Sequence, residues 1–288
     1  MITEIRDQGA EEGASLRLSL FPALRYNASM LKIRLDLLLV ERGLAESRSK
    51  AQALIMAGQV RVDGQVVLKP AIQIQTSSRL ELESGPRFVS RGGEKLEAAL
   101  STFGVEARER VCADVGASTG GFTDCLLQHG AVRVYAVDVG KGILHWKLRN
   151  DPCVVVMEET NARFVERLPE PVSLVTIDTS FISLKVLLPV VKGWFSHSAE
   201  RSIVALIKPQ FEAGRKDVAR GGGVIRDAEI HKQILLDVLA FAVQKGFGVH
   251  GLIRSPLLGP KGNVEFLAWL GEEDTVVDVP VLVEGVIL

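Results

Sequence analysis

Asp114-Val-Gly-Ala-Ser-Thr-Gly-Gly-Phe122 is the stretch on which the fold is decided. It follows the apolar run 111–115 and runs into a helical pattern at 122–129, so it reads as a glycine-rich turn from strand to helix. Glycines there let the backbone turn sharply and approach a ligand closely, and the helix N-terminus behind them offers free N–H groups. The next strand candidate, 132–138, ends at Asp138, 24 residues after Asp114. A carboxylate at that place can accept hydrogen bonds from ribose hydroxyls.

Outward from this turn, strands alternate with helices. Further strand candidates are 153–157, 173–178, 202–207, 247–253 and 264–270, and the clearest further helices are 183–195 and 227–245. Such alternation predicts an α/β, doubly wound, Rossmann-like parallel sheet with helices on both faces. The last two strands are joined only by Ser255–Asn263, too short for a crossover helix, so they are expected to pair antiparallel near the end of the sheet. Glu212–Arg226, glycine-rich and charged, reads as a mobile loop.

The turn at 114–122 suits either a dinucleotide or S-adenosylmethionine. The Gly-x-Gly-x-x-Gly pattern of pyrophosphate binders is absent, and Asp114 would repel a pyrophosphate while suiting the cationic amino-acid end of S-adenosylmethionine. The expected cofactor contacts are Asp114, Gly116, Ser118, Thr119, Gly120, Gly121, Phe122 and Asp138. Asn161, after the third strand, can meet the adenine or serve as a turn residue.

Four more polar residues stand where core packing would not place them. Asp178 and Lys208 end very apolar strands, Glu265 lies within the last strand, and Lys95 sits at the entry to the domain. The carboxyl ends of parallel strands line one crevice, and an antiparallel last strand brings Glu265 to the same edge. Two lysines and two carboxylates suit a ribose hydroxyl, a poor nucleophile until its proton is accepted or its developing charge is stabilised. A lysine, with a reference pKa of about 10.4, becomes a base more easily beside a second ammonium. Lys208 is thus the candidate base, Lys95 its tuning partner, and Asp178 and Glu265 the groups that orient both. Transfer from a sulfonium needs no metal, and no metal site is expected.

Ahead of this domain (95–271) lies a small α+β module at 32–75. Leu35, Leu38 and Leu39 recur at helical spacing, Ser47 can cap a second helix ended by Gly58, and Val60-Arg-Val-Asp-Gly-Gln-Val-Val67 reads as a hairpin. Residues 1–31 read as a flexible leader or an early translation start, 76–94 as a linker, and 272–288 as a C-terminal tail of open role. From Lys32 to Lys95 there are 11 Lys/Arg against 7 Asp/Glu, which leaves the rest of the chain net acidic and suggests a polyanion held at one end. The three cysteines, Cys112, Cys125 and Cys153, lack paired spacing and fit reduced core thiols better than disulfides or structural zinc. No apolar run approaches the ~20 residues of a membrane span and no secretory signal is evident, so a cytoplasmic protein is expected.

Several segments in order resemble one family. Ser90-Arg-Gly-Gly-Glu-Lys-Leu96, Asp114 to Asp124, Ile177-Asp-Thr-Ser-Phe-Ile182, Lys208-Pro-Gln-Phe-Glu212 and Gly259-Pro-Lys-Gly-Asn-Val-Glu-Phe266 look like the motifs of the TlyA (hemolysin A) family. Those proteins are RNA ribose 2′-O-methyltransferases with an FtsJ-like catalytic domain. The resemblance covers roughly Ile33 to Leu270. It implies S-adenosylmethionine as cofactor, ribosomal RNA as partner, and a Lys-Asp-Lys-Glu tetrad matched by Lys95, Asp178, Lys208 and Glu265. The front module resembles the RNA-binding domain named after ribosomal protein S4, with Arg34, Arg48, Lys50 and Arg61 as candidate phosphate contacts. Two rival readings are a ribosome-assembly factor with a catalytically silent fold and a nicotinamide-dependent dehydrogenase. The intact tetrad speaks against the first and the missing pyrophosphate fingerprint against the second. The hemolysin name suggests a pore, which the lack of a spanning or basic amphipathic membrane segment disfavours.

Overall fold

The computed structural model describes residues 31–83, 85–196, 201–214, 222–272 and 277–287. Residues 1–30 of the expected leader and 215–221 of the expected loop lie outside that set. The chain divides into two compact units between Gly85 and Pro86.

The first unit runs β1 (Lys32–Arg34), α1 (Leu35–Glu41), α2 (Arg48–Met56), β2 (Val60–Val62), β3 (Gln65–Val66), β4 (Gln73–Gln75) and β5 (Leu80–Leu82). Leu35, Leu38 and Leu39 of α1 pack with Ala51, Ile55, Val60, Val62 and Ile74 into one small core. Ser47 caps α2, its hydroxyl accepting from the Lys50 N–H at 3.2 Å. The β2–β3 hairpin turns through Asp63 and Gly64, both at positive φ (51° and 82°), as a two-residue turn requires. One expectation needs correction. The stretch 76–94 is not a linker throughout, because β5 pairs antiparallel with β2 and the next helix begins at Gly92. Leu80-Glu-Leu82 alternates with the period of a strand, but three residues among Ser, Arg and Gly give a faint pattern.

The second unit runs α3 (Gly92–Phe103), β6 (Val111–Val115), α4 (Gly121–Gln128), β7 (Arg133–Val137), α5 (Trp146–Arg149), β8 (Val154–Met157), β9 (Leu174–Ile177), α6 (Leu184–Lys192), β10 (Ser202–Ile207), α7 (Pro209–Glu212), α8 (Ala228–Gln244), β11 (Gly248–Arg254), β12 (Phe266–Gly271) and α9 (Val279–Ile287). The sheet order is β11-β12-β10-β9-β6-β7-β8. Strands β10, β9, β6, β7 and β8 are parallel, and β12 lies antiparallel between β10 and β11. Strands β9 and β10 are buried at every residue, which is why they read as unbroken apolar runs. One face of the sheet (Ala113, Val175, Ile203, Ala205) packs with Leu187 of α6 and Leu235 of α8. The other (Cys112, Leu174, Val204, Leu206) packs with Leu96 of α3 and Leu126 of α4.

After β6 the chain builds β7 and β8 on one side and only then crosses to β9 on the other. The crevice at the carboxyl ends of β6 and β9 is therefore the topological switch point. The stretch read as a tail contains α9, whose Val283 is fully buried in the core with α8.

Candidate active site

The glycine turn is shaped by close packing. Gly116 leaves β6 at φ +85° and its N–H donates to the Val137 carbonyl at 2.8 Å. A Cβ there would collide with the Asp178 backbone carbonyl, so only glycine fits. Gly120, at φ +95°, stands just ahead of α4 as its N-cap and borders neither cavity described below.

Asp114 is placed differently from the expectation. It is fully buried and accepts from the Thr123 hydroxyl at 2.7 Å and the Thr176 hydroxyl at 3.1 Å. It ties the turn to α4 and β9 and borders neither cavity described below, because its position in the strand directs it to the sheet face covered by α4. Burial pushes its carboxyl up to about 7, with the two hydroxyls working against that rise. A carboxyl raised in the folded state contributes stability below its unfolded value, near 3.8, and loses it as pH climbs through the folded value near 7. Asp114→Asn, which stays neutral and keeps an acceptor oxygen, should therefore gain stability relative to the parent between pH 4 and pH 8. Thermal unfolding at both pH values checks this, and an Asn variant that loses ground as pH rises would contradict it.

Asp138, at the end of β7, accepts from the Ser118 N–H at 2.8 Å and the Gly140 N–H at 2.7 Å. It borders a cavity of about 460 Å³ shared with Val139, Ile143, Thr160 and Asn161. Asn161 also caps a short 3-10 turn, accepting from the Arg163 N–H at 3.1 Å.

A second cavity, of about 630 Å³, is lined by Gly116, Ser118, Thr119, Gly121 and Phe122 together with Lys95, Asp178, Lys208 and Glu265. The two cavities share a wall at Gly116, Ser118, Asp178, Ser180 and Phe181. Asp178 and Lys208 follow the adjacent parallel strands β9 and β10. Phe266 pairs with Ile207, so Glu265, just ahead of β12, arrives beside Lys208. Lys95 reaches in from the first turn of α3.

Two ion pairs result: Lys95 Nζ lies 2.6 Å from Glu265 Oε2, and Lys208 Nζ 2.5 Å from Asp178 Oδ1. Their side chains are only 11%, 1%, 11% and 20% exposed, in the order Lys95, Glu265, Lys208, Asp178. Ion pairs this dry contribute little to stability for their desolvation cost, which points to a chemical use. Oε1 of Glu265 is buried without a hydrogen-bond partner. It lies 2.5 Å from where a Cβ on Gly259 would stand, so that glycine leaves room for the carboxylate.

Sequence reasoning passed over Phe181, on the wall between the cavities. It is 90% exposed, sits at φ +65° and packs on Phe211 at 4.9 Å between ring centroids. The available signal was an aromatic residue directly behind the strand-end Asp178-Thr-Ser.

In the first unit, three of the four basic candidates have intramolecular partners. Arg34 holds Asp36 with two bonds (2.9 and 2.8 Å) and Arg48 holds it with one (3.0 Å). Asp36 is fully buried, and the Arg34 guanidinium foremost keeps its carboxyl well below the usual range. Arg61 pairs with Glu83, while the Lys50 residue is exposed.

The FtsJ-like methyltransferase family model matches residues 88–272, and the S4 domain model matches 33–80. The chain is 47% identical over 243 residues to the Mycobacterium tuberculosis 16S/23S rRNA (cytidine-2′-O)-methyltransferase TlyA, covering 83% of this chain and 90% of that one. It is 44% identical over 242 residues to Hemolysin A of Brachyspira hyodysenteriae, covering 82% and 98%. Among solved structures, one from Streptococcus thermophilus described as a hemolysin superposes with a TM-score of 0.67 at 44% identity, covering 90% of this chain and 95% of that one. Among the described residues, no helix is long and apolar enough to cross a membrane.

Proposed function

This chain belongs to the FtsJ-like methyltransferase family, and on that footing we propose that it methylates a ribose 2′-hydroxyl of ribosomal RNA, using S-adenosylmethionine. The observation that carries this reading is the meeting of two largely buried Lys–carboxylate pairs on the wall of one cavity, which a second cavity bearing Asp138 adjoins.

The residues present fit the cofactor. Asp138 is anchored by two backbone N–H groups with lone pairs to spare for ribose hydroxyls, and Gly116, where a Cβ would collide with the Asp178 carbonyl, lines both cavities. Ser118, Thr119, Gly121 and Phe122 line the part that would take the amino-acid end. When bound, S-adenosylmethionine supplies an electrophilic methyl group on a sulfonium whose leaving group departs neutral.

The chain's own residues do the rest. Asp178 aims the Lys208 amino group at the 2′-oxygen; Lys208, having first released its own ammonium proton to solvent, takes up the hydroxyl proton as the new C–O bond forms, and Asp178 holds the ammonium that results. Lys95, held by Glu265, adds a second positive charge to the crevice and favours departure of the proton. The free Oε1 of Glu265 stands ready to accept a donor brought by the substrate. The S4 unit supplies the grip on structured RNA through its exposed basic residues. A ribosomal substrate supports a cytoplasmic site of action.

Calorimetric titration with S-adenosylmethionine and with NAD tests the cofactor half of this reading. Binding of the first and not the second is expected. Asp138→Ala should weaken that binding by roughly 1.5–3 kcal/mol, the value of a hydrogen bond to a charged acceptor. Unchanged affinity in the variant would remove Asp138 from the ribose contact.

A further inference from the structure

A second cluster of chemically active side chains lies outside the crevice, between α3 and α4. Cys125 and His129 are four residues apart on and just after α4, so they share one face of that helix, and Glu97 reaches them from α3. The Cys125 thiol donates to Glu97 Oε2 at 3.8 Å, and His129 Nε2 lies 2.6 Å from the same oxygen. One sulfur, one nitrogen and one oxygen thus stand within 4.8 Å of one another. None of the three residues borders either cavity of the active site.

These separations come close to the edges of a tetrahedral metal site. With Zn–N and Zn–O bonds near 2.05 Å and a Zn–S bond near 2.3 Å, tetrahedral ligands stand roughly 3.3 Å apart for N and O and roughly 3.6 Å apart for S and O. The sulfur–oxygen distance already agrees to within a few tenths of an ångström, the histidine and carboxylate need to part by under about 1 Å, and the sulfur and nitrogen, within 4.8 Å of each other, have to settle at roughly 3.6 Å as the ion enters.

We propose that Glu97, Cys125 and His129 form a binding site for a zinc-class divalent cation, with a solvent water as the fourth ligand. The environment suits such an ion. Cys125 forms the buried floor, while Glu97 and His129 are 23% and 29% exposed and give access from solvent. Arg87 binds the other carboxylate oxygen, Oε1, at 2.9 Å, which fixes the glutamate and leaves Oε2 for the ion. As the sulfur–metal bond forms, the Cys125 thiol releases its proton to solvent. Two positive charges then meet one thiolate and one carboxylate, a neutral group that Arg87 tolerates. Because the ligands must lose their protons to bind the ion, binding strengthens as pH rises. The ion would be structural: it would clamp α3, whose first turn carries Lys95, to α4, whose start belongs to the glycine turn. The absence of paired cysteine spacing hid this site from a cysteine count, because its ligands are a Cys-x-x-x-His step and a glutamate 28 residues earlier.

The test is titration of the full, tag-free, metal-stripped chain with cobalt(II) chloride, followed by displacement with zinc sulfate. The expected result is one equivalent of cobalt, with a thiolate-to-metal charge-transfer band and the intense visible bands of tetrahedral geometry. Zinc should also raise the thermal midpoint. Cys125→Ser should abolish the charge-transfer band, and His129→Gln, at a part-exposed position that threatens folding less, should weaken cobalt binding by at least about tenfold. S-adenosylmethionine affinity in His129→Gln should match the parent. No thiolate band in the parent, or the same binding in both variants, would overturn the proposal.

Discussion

Replacing Lys208 with alanine is expected to lower the methylation rate on the order of 10²–10⁴-fold, the range for removal of a positioned acid–base group. Lys208 follows β10 directly, is 11% exposed and has Asp178 as its ion-pair partner, so the loss falls on one group at one place. Cofactor and RNA affinities should change little, because the lysine acts chiefly in the transition state. Lys208→Arg separates two roles. A guanidinium stays protonated and cannot accept the hydroxyl proton, so arginine should fail almost as badly as alanine. If Lys208 only stabilised developing charge, arginine would restore much of the rate. Single-turnover kinetics on saturating RNA checks both variants, and near-parental turnover in the alanine variant would sink the tetrad assignment.

Removing residues 1–85 should cut methylation of structured RNA by at least about a hundredfold, the scale of two or three lost charge-assisted phosphate contacts. Asp138 and the glycine turn belong to the second unit, which has its own cores, so calorimetry of the truncated chain should return the parental cofactor affinity. RNA binding by the intact chain should weaken steeply with salt, and the truncated chain should show a shallower slope. A truncated enzyme as active as the full chain would take the S4 unit out of substrate recognition.

The sheet could be read from residues because its inner strands are buried on both faces. Val111–Val115, Leu174–Ile177 and Ser202–Ile207 are apolar runs for that reason, and the charges that end them, Asp178 and Lys208, stood out by contrast. The short link at Ser255–Asn263 fixed the antiparallel pairing of β11 with β12. It could not show that β12 inserts between β10 and β11, since a connection length does not say on which side a strand docks. Asp114 was misplaced because its strand position alone did not reveal that Thr123 and Thr176 would enclose it. Helix α9 was hidden by its valines and by Pro280, poor helix formers. Its first turn tolerates the proline, and burial of Val283 overrides propensity. Arg34 and Arg48 were legible as basic residues. Their shared hold on Asp36 was not, because it depends on how α1 meets α2.

The crevice is expected to transfer a methyl group to a ribose hydroxyl of ribosomal RNA. The most direct measurement incubates purified ribosomal subunits with the chain and S-adenosylmethionine labelled in its methyl group, then digests the RNA with alkali. A 2′-O-methyl group blocks cleavage of the adjoining phosphodiester, so the label is expected in alkali-resistant dinucleotides, and Lys208→Ala should leave them unlabelled. Label recovered in mononucleotides, where a base methylation would place it, or no transfer to RNA at all, would contradict the account.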